Sequence, residues 1–122
     1  MESGVSLDDK INMLLEITKS QLPVTLMAGM TITNMHKQDG FLTTIIEVDE
    51  NQYNLATFQS QKALENIENS INIDMMIRYQ WGLFSEAGFG VRYTYIGNIS
   101  KKSINLDIPN HRLKELLKEK DE

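Results

Sequence analysis

Residues 29–49, GMTITNMHKQDGFLTTIIEVD, have the pattern of a β-hairpin, and this hairpin decides the fold of the chain. Two runs rich in Thr and Ile flank the polar tetrapeptide at positions 37–40. Gly40 can take a positive φ without a steric penalty, so it suits the turn that brings the second strand back beside the first. We therefore predict two antiparallel strands, over residues 29–36 and 41–49.

A second hairpin is predicted over residues 90–108. Its first strand, residues 90–96, alternates between Val91, Tyr93 and Tyr95 on one face and Arg92, Thr94 and Ile96 on the other. Its second strand, residues 103–108, has the cleanest alternation, with one apolar face formed by Ile104, Leu106 and Ile108. Pro109 ends this strand because its nitrogen cannot donate to the ladder.

Four segments have the spacing of amphipathic helices. They cover residues 7–20, 55–69, 74–88 and the tail that begins at Asn110. Ser6, Asp74 and Asn110 are the N-cap residues in this interpretation, and Gly88 suits a left-handed C-cap. Residues 24–28 are expected to be a connector between the first helix and the first hairpin.

Together these elements predict an α+β fold, a two-layer sandwich in the order αββααββα. The sheet is expected to be four-stranded and antiparallel, built from two β-hairpins with helices packed on one face. The first hairpin carries apolar residues on both faces, which indicates either a strand covered on both sides or a dimer that covers the second face. The 122 residues form a single domain, with residues 1–5 and 118–122 expected to be frayed.

The composition excludes several classes of function. The net charge is −5 at pH 7, and phosphate contacts need a basic face, so no nucleic acid partner is expected. The absence of cysteine excludes disulfides, thiolate metal sites and cysteine nucleophiles. No run approaches the ~20 apolar residues of a membrane span, so membrane contact is expected only through a removed anchor.

No catalytic, phosphate-binding or zinc-binding motif is present in the sequence. His36 and His111 are far apart and have no neighbouring metal-type partners, so we interpret both as surface residues. No catalytic residue, metal or cofactor is therefore expected.

The densest acidic group is Glu47, Asp49 and Glu50, which we interpret as a solvated strand end. Carboxylates that act as metal ligands or as acid and base must converge from several segments. An enzyme with a scattered site of Glu47, Asp49 and Tyr95 is the alternative. It requires a deep pocket that holds at least two of these side chains.

The candidate surface for a ligand or partner consists of four aromatic residues: Trp81, Phe84, Tyr93 and Tyr95. The helix over 74–88 is predicted to bury Met75, Met76, Tyr79, Leu83 and Ala87. Trp81 and Phe84 fall beside that stripe, and if exposed they form a partner-binding patch. Tyr93 and Tyr95 form either an aromatic platform or part of the core. Five methionines either line an adaptable groove or pack in the core: Met27, Met30, Met35, Met75 and Met76.

The chain resembles a group of small exported proteins of unknown function that are common in Bacteroides-type bacteria. Four motifs carry the resemblance: LPV at 22–24, GMTIT at 29–33, EVDE at 47–50 and AGFGVRYTY at 87–95. Many members of the group carry a cysteine, and this chain has none. The resemblance implies an export or lipoprotein signal that is absent from this sequence, and hence a periplasmic or outer-membrane-associated location. It brings no catalytic residues.

The function expected from the sequence is that of a small, non-enzymatic envelope domain that binds a protein or a small ligand. The alternative is a cytoplasmic, dimeric binding chaperone similar to the type III secretion chaperones. The excess of acidic over basic residues and the strands with apolar residues on both faces favour that alternative. It requires the protein to be a homodimer.

Overall fold

The computed structural model describes residues 5–120, apart from the side chains of Glu119 and Lys120. The described strands are β1 (Val24–Met27), β2 (Met30–Gln38), β3 (Phe41–Val48), β4 (Gly90–Gly97) and β5 (Ser103–Ile108). The described α-helices are α1 (Leu7–Ser20), α2 (Gln61–Glu68), α3 (Met75–Glu86) and α4 (Asn110–Lys120). The strands form one mixed sheet in the order β1-β2-β3-β4-β5.

The hairpin of β2 and β3 is confirmed. Gln38 pairs with Phe41, so the turn consists of Asp39 and Gly40 alone. Both turn residues have positive φ, 54° and 82° respectively. Because this combination matches the right-handed twist of the flanking strands, the Asp-Gly pair fixes the register of the hairpin.

The predicted four-stranded antiparallel sheet is wrong in two respects, and the first is the additional strand β1. Residues 24–27 pair antiparallel with β2 and do not form an irregular connector. Val, Thr, Leu and Met suit a pleated surface, and Gly29, at φ 86°, allows the chain to turn directly into β2. Four residues are too few to show alternation in the sequence, so the strand was missed.

The second correction is that the two predicted hairpins join through a parallel pair. β3 and β4 are parallel neighbours from Phe41↔Gly90 to Val48↔Gly97. Parallel neighbours need a crossover of a dozen or more residues, and the segment that carries α2 and α3 supplies it. Strand patterns report which side chains share a face but not which strands pair, so the sequence left this open.

The second predicted helix is also divided. Leu55–Gln59 is a 3₁₀ turn, α2 begins at Gln61, and Asn69–Asn72 is a further 3₁₀ turn. The Ser60 hydroxyl accepts a hydrogen bond from the Ala63 N–H at 3.1 Å. Inside a helix, a serine hydroxyl competes for the backbone hydrogen bonds, whereas at the N-cap position it stabilises the helix start. Ser60 therefore begins a new helix at this point.

The helices cover one face of the sheet. Alternate residues of the central strands β3 and β4 point into the helical layer, among them Leu42, Ile46, Val91 and Tyr95. The other face mixes half-buried apolar residues, Phe41, Ile45 and Ile96, with polar ones. On this face Arg92 donates two hydrogen bonds to the Asp107 carboxylate, at 2.8 and 3.0 Å.

Helix α4 extends to Lys120, and the fraying predicted for residues 1–4, 121 and 122 lies outside the described residues. Within residues 5–120, no helix is long and apolar enough to cross a bilayer.

Candidate functional site

Helix α3, MMIRYQWGLFSE, is apolar on two sides. Arg78 and Glu86 are its only charged residues. Its start is fixed by Asp74, whose carboxylate accepts hydrogen bonds from the N–H groups of Met76 and Ile77 at 2.9 and 3.3 Å. A helix with apolar residues on all sides exposes more apolar surface than packing against a single sheet can bury. The spacing of the residues therefore does not determine which side of α3 faces the sheet.

The inner side of α3 carries Trp81 and Phe84. The two side chains are 1% and 0% exposed, respectively. Trp81 belongs to the buried cluster of Val91 and Leu113, and Phe84 meets the ring of Phe89 edge-on at 5.8 Å between centroids. Neither of these two candidate residues reaches the surface of the folded chain.

The outer side of α3 is the exposed one. Met75 is 87% exposed, Met76 66% and Tyr79 56%, although the sequence pattern predicted these residues to be buried. With Gly82 and the partly buried Leu83, they form a contiguous outward-facing strip that we call the α3 surface. Single exposed apolar residues are ordinary, but several on one helix face are typical of an interaction site.

A groove of about 730 Å³ runs beside the α3 surface, between α3 and α4. Lys114 and Leu117 form its wall on α4, and Glu86 lies at its rim on α3. Two contacts hold the helices in place around it: Arg78 Nη2 donates to the Leu117 carbonyl at 2.8 Å, and Asn110 Nδ2 donates to the Ser85 carbonyl at 3.0 Å. The groove is therefore built into the fold.

Gly82 lies in the lining of this groove, in the middle of α3. A Cβ built at this position meets no atom of the described chain within 4 Å. Glycine inside a helix costs about 0.5–1 kcal/mol relative to alanine. The fold itself therefore does not require a glycine at this position.

Replacing Gly82 with alanine is expected to stabilise the isolated protein by about 0.5–1 kcal/mol, because the helix gains propensity and the methyl group enters open space. The free energy of unfolding in urea measures this change. A destabilised Gly82→Ala variant would contradict the open geometry at this position.

The other two candidate residues, Tyr93 and Tyr95, lie under the helical layer. The ring of Tyr95 stacks on Phe58 at 4.3 Å and meets Tyr93 edge-on at 6.5 Å. Burial, with a smaller contribution from the charge of Asp74, raises the pKa of Tyr93 to about 12. Burial also raises the pKa of Tyr95. Both rings pack as part of the core beside the helices.

The acidic residues do not assemble with Tyr95. Glu47 pairs with Ile96 and Ile46 pairs with Tyr95, so Glu47 and Tyr95 point to opposite faces of the sheet. Asp49 stabilises its own loop, where its carboxylate accepts hydrogen bonds from the Asn51 N–H and Gln52 Nε2 at 3.0 and 2.9 Å. The scattered carboxylate and tyrosine site proposed as the alternative is therefore not formed by these residues.

Glu50 ties the loop after β3 to the hairpin turn of β4 and β5. Its carboxylate accepts hydrogen bonds from the N–H groups of Ile99 and Ser100 at 2.8 and 2.6 Å and from the Ser100 hydroxyl at 2.8 Å. A cavity of about 790 Å³ lies beside these loops, lined mostly by polar residues. Because its carboxylate is committed to two backbone N–H groups and one hydroxyl of this turn, Glu50 has a structural role there.

These bonds make the contribution of Glu50 to stability depend on pH. The Ser100 N–H is the largest cause that holds the pKa of Glu50 below its usual value. A carboxyl group whose pKa is lowered by folding stabilises the protein above its unfolded pKa, and this stability is lost as the pH falls through the folded pKa. We expect Glu50→Gln to unfold at a lower urea concentration than the wild type at pH 7. The difference between the two urea midpoints is expected to be smaller at pH 3, and an equal difference at both pH values would contradict this role.

The histidines also lie apart. His36 Nε2 lies 2.9 Å from Gln38 Oε1 on β2, and His111 is exposed on α4. Over the part of the chain that the structure describes, no three His, Asp or Glu residues come together as metal ligands would.

No family model and no curated protein matches the chain. The fold is nevertheless found in solved structures. A Pseudomonas aeruginosa protein assigned as secreted superposes with a TM-score of 0.66 over 88% of this chain and 92% of its own, at 8% identity. EpsS, the pilotin of the type 2 secretion system of Vibrio vulnificus, superposes with a TM-score of 0.57 over 88% of this chain and 91% of its own, at 10% identity.

At such identities the likeness concerns the fold alone. Neither neighbour comes from a Bacteroides-type bacterium.

Proposed function

We propose that this protein is a small, non-enzymatic binding protein of the bacterial envelope that holds a helical segment of a protein partner against the α3 surface. The observation that carries the proposal is a glycine in the lining of a built groove whose neighbours are Met75 and Tyr79, both more than half exposed.

The chemistry of the α3 surface fits a protein better than a small ligand. Aromatic residues and methionine are enriched at protein interfaces, and flexible methionine side chains adapt to the shape of a partner. Small-molecule sites are concave and enclose most of the ligand, whereas Met75 and Tyr79 project into solvent. A lipid surface is a poor occupant because a protein of net charge −5 is not attracted to anionic headgroups.

The shape of the site favours a helix as the bound segment. Met75, Tyr79 and Gly82 follow one another at helical spacing along the same side of α3. An amphipathic helix can lay its apolar face in the groove between α3 and α4, and a glycine lets two helix backbones come close. Lys114 and Glu86 at the groove would then select polar residues at the margins of the bound helix.

The envelope location rests on the resemblance to exported proteins and on the fold shared with a protein assigned as secreted and with a pilotin. EpsS belongs to a secretion system, and we extend that role by proposing that the partner here is a component of an envelope assembly. The location proposed is periplasmic or outer-membrane-associated.

Cell fractionation followed by binding of a defined partner tests the proposal. The protein is expected in the envelope fraction, and a partner identified there is expected to yield a helical segment that binds the purified protein in a one-to-one complex by calorimetry. Recovery in the cytoplasm would favour the chaperone alternative. Binding to lipid vesicles without a protein partner would contradict the proposed function.

A further inference from the structure

The cavity beside the loop after β3 is bounded by three segments of the chain. Residues 50–54 follow β3, Leu55–Gln59 is the 3₁₀ turn, and residues 100–104 lead from the β4–β5 turn into β5. Its volume of about 790 Å³ lies within the range of about 300–1,000 Å³ that is usual for small-molecule sites. Among the described residues, it shares none of its lining with the groove beside α3, so it is a separate feature of the surface.

Hydrogen bonds fix the walls of this cavity relative to each other. Glu50 accepts three hydrogen bonds from the β4–β5 turn, and its own N–H donates to Asn98 Oδ1 at 3.0 Å. Gly97 leaves room for the Glu50 carboxylate, because a Cβ built at position 97 would overlap it. The Tyr53 hydroxyl donates to the Ala28 carbonyl at 3.0 Å, which holds the Tyr53 ring in the cavity wall. A site built in advance loses less conformational entropy when it binds a ligand.

The polar side chains in the lining keep their hydrogen-bonding groups for a ligand. Within residues 5–120, no hydrogen bond is made by the side chains of Asn51, Gln59 and Ser103. The Lys102 ammonium forms no ion pair with the described carboxylates. The pKa of Glu50 is lowered first by the Ser100 N–H and last by the charge of Lys102, so this charge is only weakly used inside the chain.

We propose that this cavity binds a sugar acid, a ring that carries several hydroxyl groups and one carboxylate. A hydroxyl group both donates and accepts hydrogen bonds, and the side chains of Asn51, Gln59 and Ser103 do the same. Lys102 supplies the cation for the single acid group. The Tyr53 ring and the half-buried Ile104 supply an apolar surface for the C–H side of the ring.

Other classes of ligand fit the lining less well. A nucleotide presents several phosphate charges, which one lysine in a chain of net charge −5 does not balance. A metal ion needs converging carboxylates or histidines, and the described residues contain no such group. An apolar ligand would cover the amide and hydroxyl side chains without replacing their hydrogen bonds to water, which costs free energy.

NMR titration of the isotope-labelled protein at fixed ionic strength tests the proposal, with sodium glucuronate as the probe. Glucuronate is expected to shift the side-chain amide signals of Asn51 and Gln59 with a dissociation constant of about 0.1–10 mM. Two matched probes each lack one set of contacts: glucose has no carboxylate, and cyclohexanecarboxylate has no hydroxyl groups. Each is expected to bind at least about fivefold more weakly than glucuronate.

Two neighbouring lysines provide matched variants. Lys102→Gln is expected to weaken glucuronate binding about fivefold, because it removes the charge in the lining, and to leave glucose binding unchanged. Lys101→Gln removes the same charge one position away, outside the described lining, and is expected to change neither.

The wild-type titration can overturn the proposal without any substitution. It fails if glucuronate leaves the Asn51 and Gln59 signals unmoved, or if the three probes bind equally well. Equal weakening by Lys102→Gln and Lys101→Gln would also overturn it, because the effect would then be one of overall charge. None of these results bears on the α3 surface, so the proposed function is tested separately.

Discussion

Gly82→Leu is expected to abolish partner binding while leaving the protein at least as stable as the wild type. The new side chain enters the groove between α3 and α4, where a Cβ meets no atom of the described chain within 4 Å. Leucine is about 1 kcal/mol better than glycine in a helix interior, so the free energy of unfolding should not fall. Calorimetric binding to the partner segment and urea unfolding measure the two effects.

A loss of binding in a variant that is not destabilised cannot be attributed to unfolding. The matched series runs from Gly82 through Gly82→Ala, which adds one methyl group, to Gly82→Leu, which adds a branched side chain beside the groove. Tyr79→Lys removes the exposed aromatic ring instead, and loss of an interface anchor costs about 2 kcal/mol or more, which corresponds to a roughly 30-fold weaker complex. Full binding by Gly82→Leu would show that the partner does not use the groove.

Phe84→Ala is expected to destabilise the protein by about 3–5 kcal/mol, which is a large part of the stability of a domain of this size. Phe84 is fully buried and joins α1 to the sheet through the cluster that includes Ile11, Met35 and Leu42. Removing the ring leaves a cavity beneath α3. Urea unfolding measures the loss, and Trp81→Ala on the same side of α3 should behave alike.

The control for Phe84→Ala is Tyr79→Ala, on the outer side of the same helix. That change is expected to alter the free energy of unfolding by no more than about 0.5 kcal/mol, as is usual for surface positions. Equal losses from the two variants would mean that the assignment of inner and outer sides of α3 is wrong.

The local features of the fold could be predicted because neighbouring residues determine them. Asp39 and Gly40 form the two-residue turn. Ser6 accepts a hydrogen bond from the Asp9 N–H at 3.1 Å as an N-cap, and Gly88 has the positive φ expected after α3. Each of these features depends on backbone chemistry within a few positions.

The parallel pairing of β3 with β4 could not be predicted in the same way. It depends on where a crossover of some forty residues returns to the sheet, and no alternation pattern within either strand reports that. The prediction of an antiparallel sheet was wrong for this reason. The prediction that Ile104, Leu106 and Ile108 share the core-facing side of β5 is confirmed.

The side of α3 that faces the sheet could not be chosen from spacing, because both apolar stripes recur at helical intervals. The size of the side chains on each stripe could have shown which side of α3 faces the sheet. Trp81 and Phe84 bury more apolar surface than Met75 and Met76, so the aromatic stripe gains more by facing the core. Gly82 has no side chain to pack against the sheet, so its position indicates the outer side of α3.

The central claim is that the α3 surface contacts a protein partner, and site-specific photo-crosslinking in cells of the source organism tests it most directly. A photoreactive phenylalanine analogue at position 79 would report contacts of α3, and the same analogue at Glu47, exposed on the opposite face of the sheet, would serve as the matched position. We predict one protein adduct of defined mass at position 79, absent at position 47 and lost in the Gly82→Leu background. Equal adducts at both positions, or none at position 79, would contradict the account.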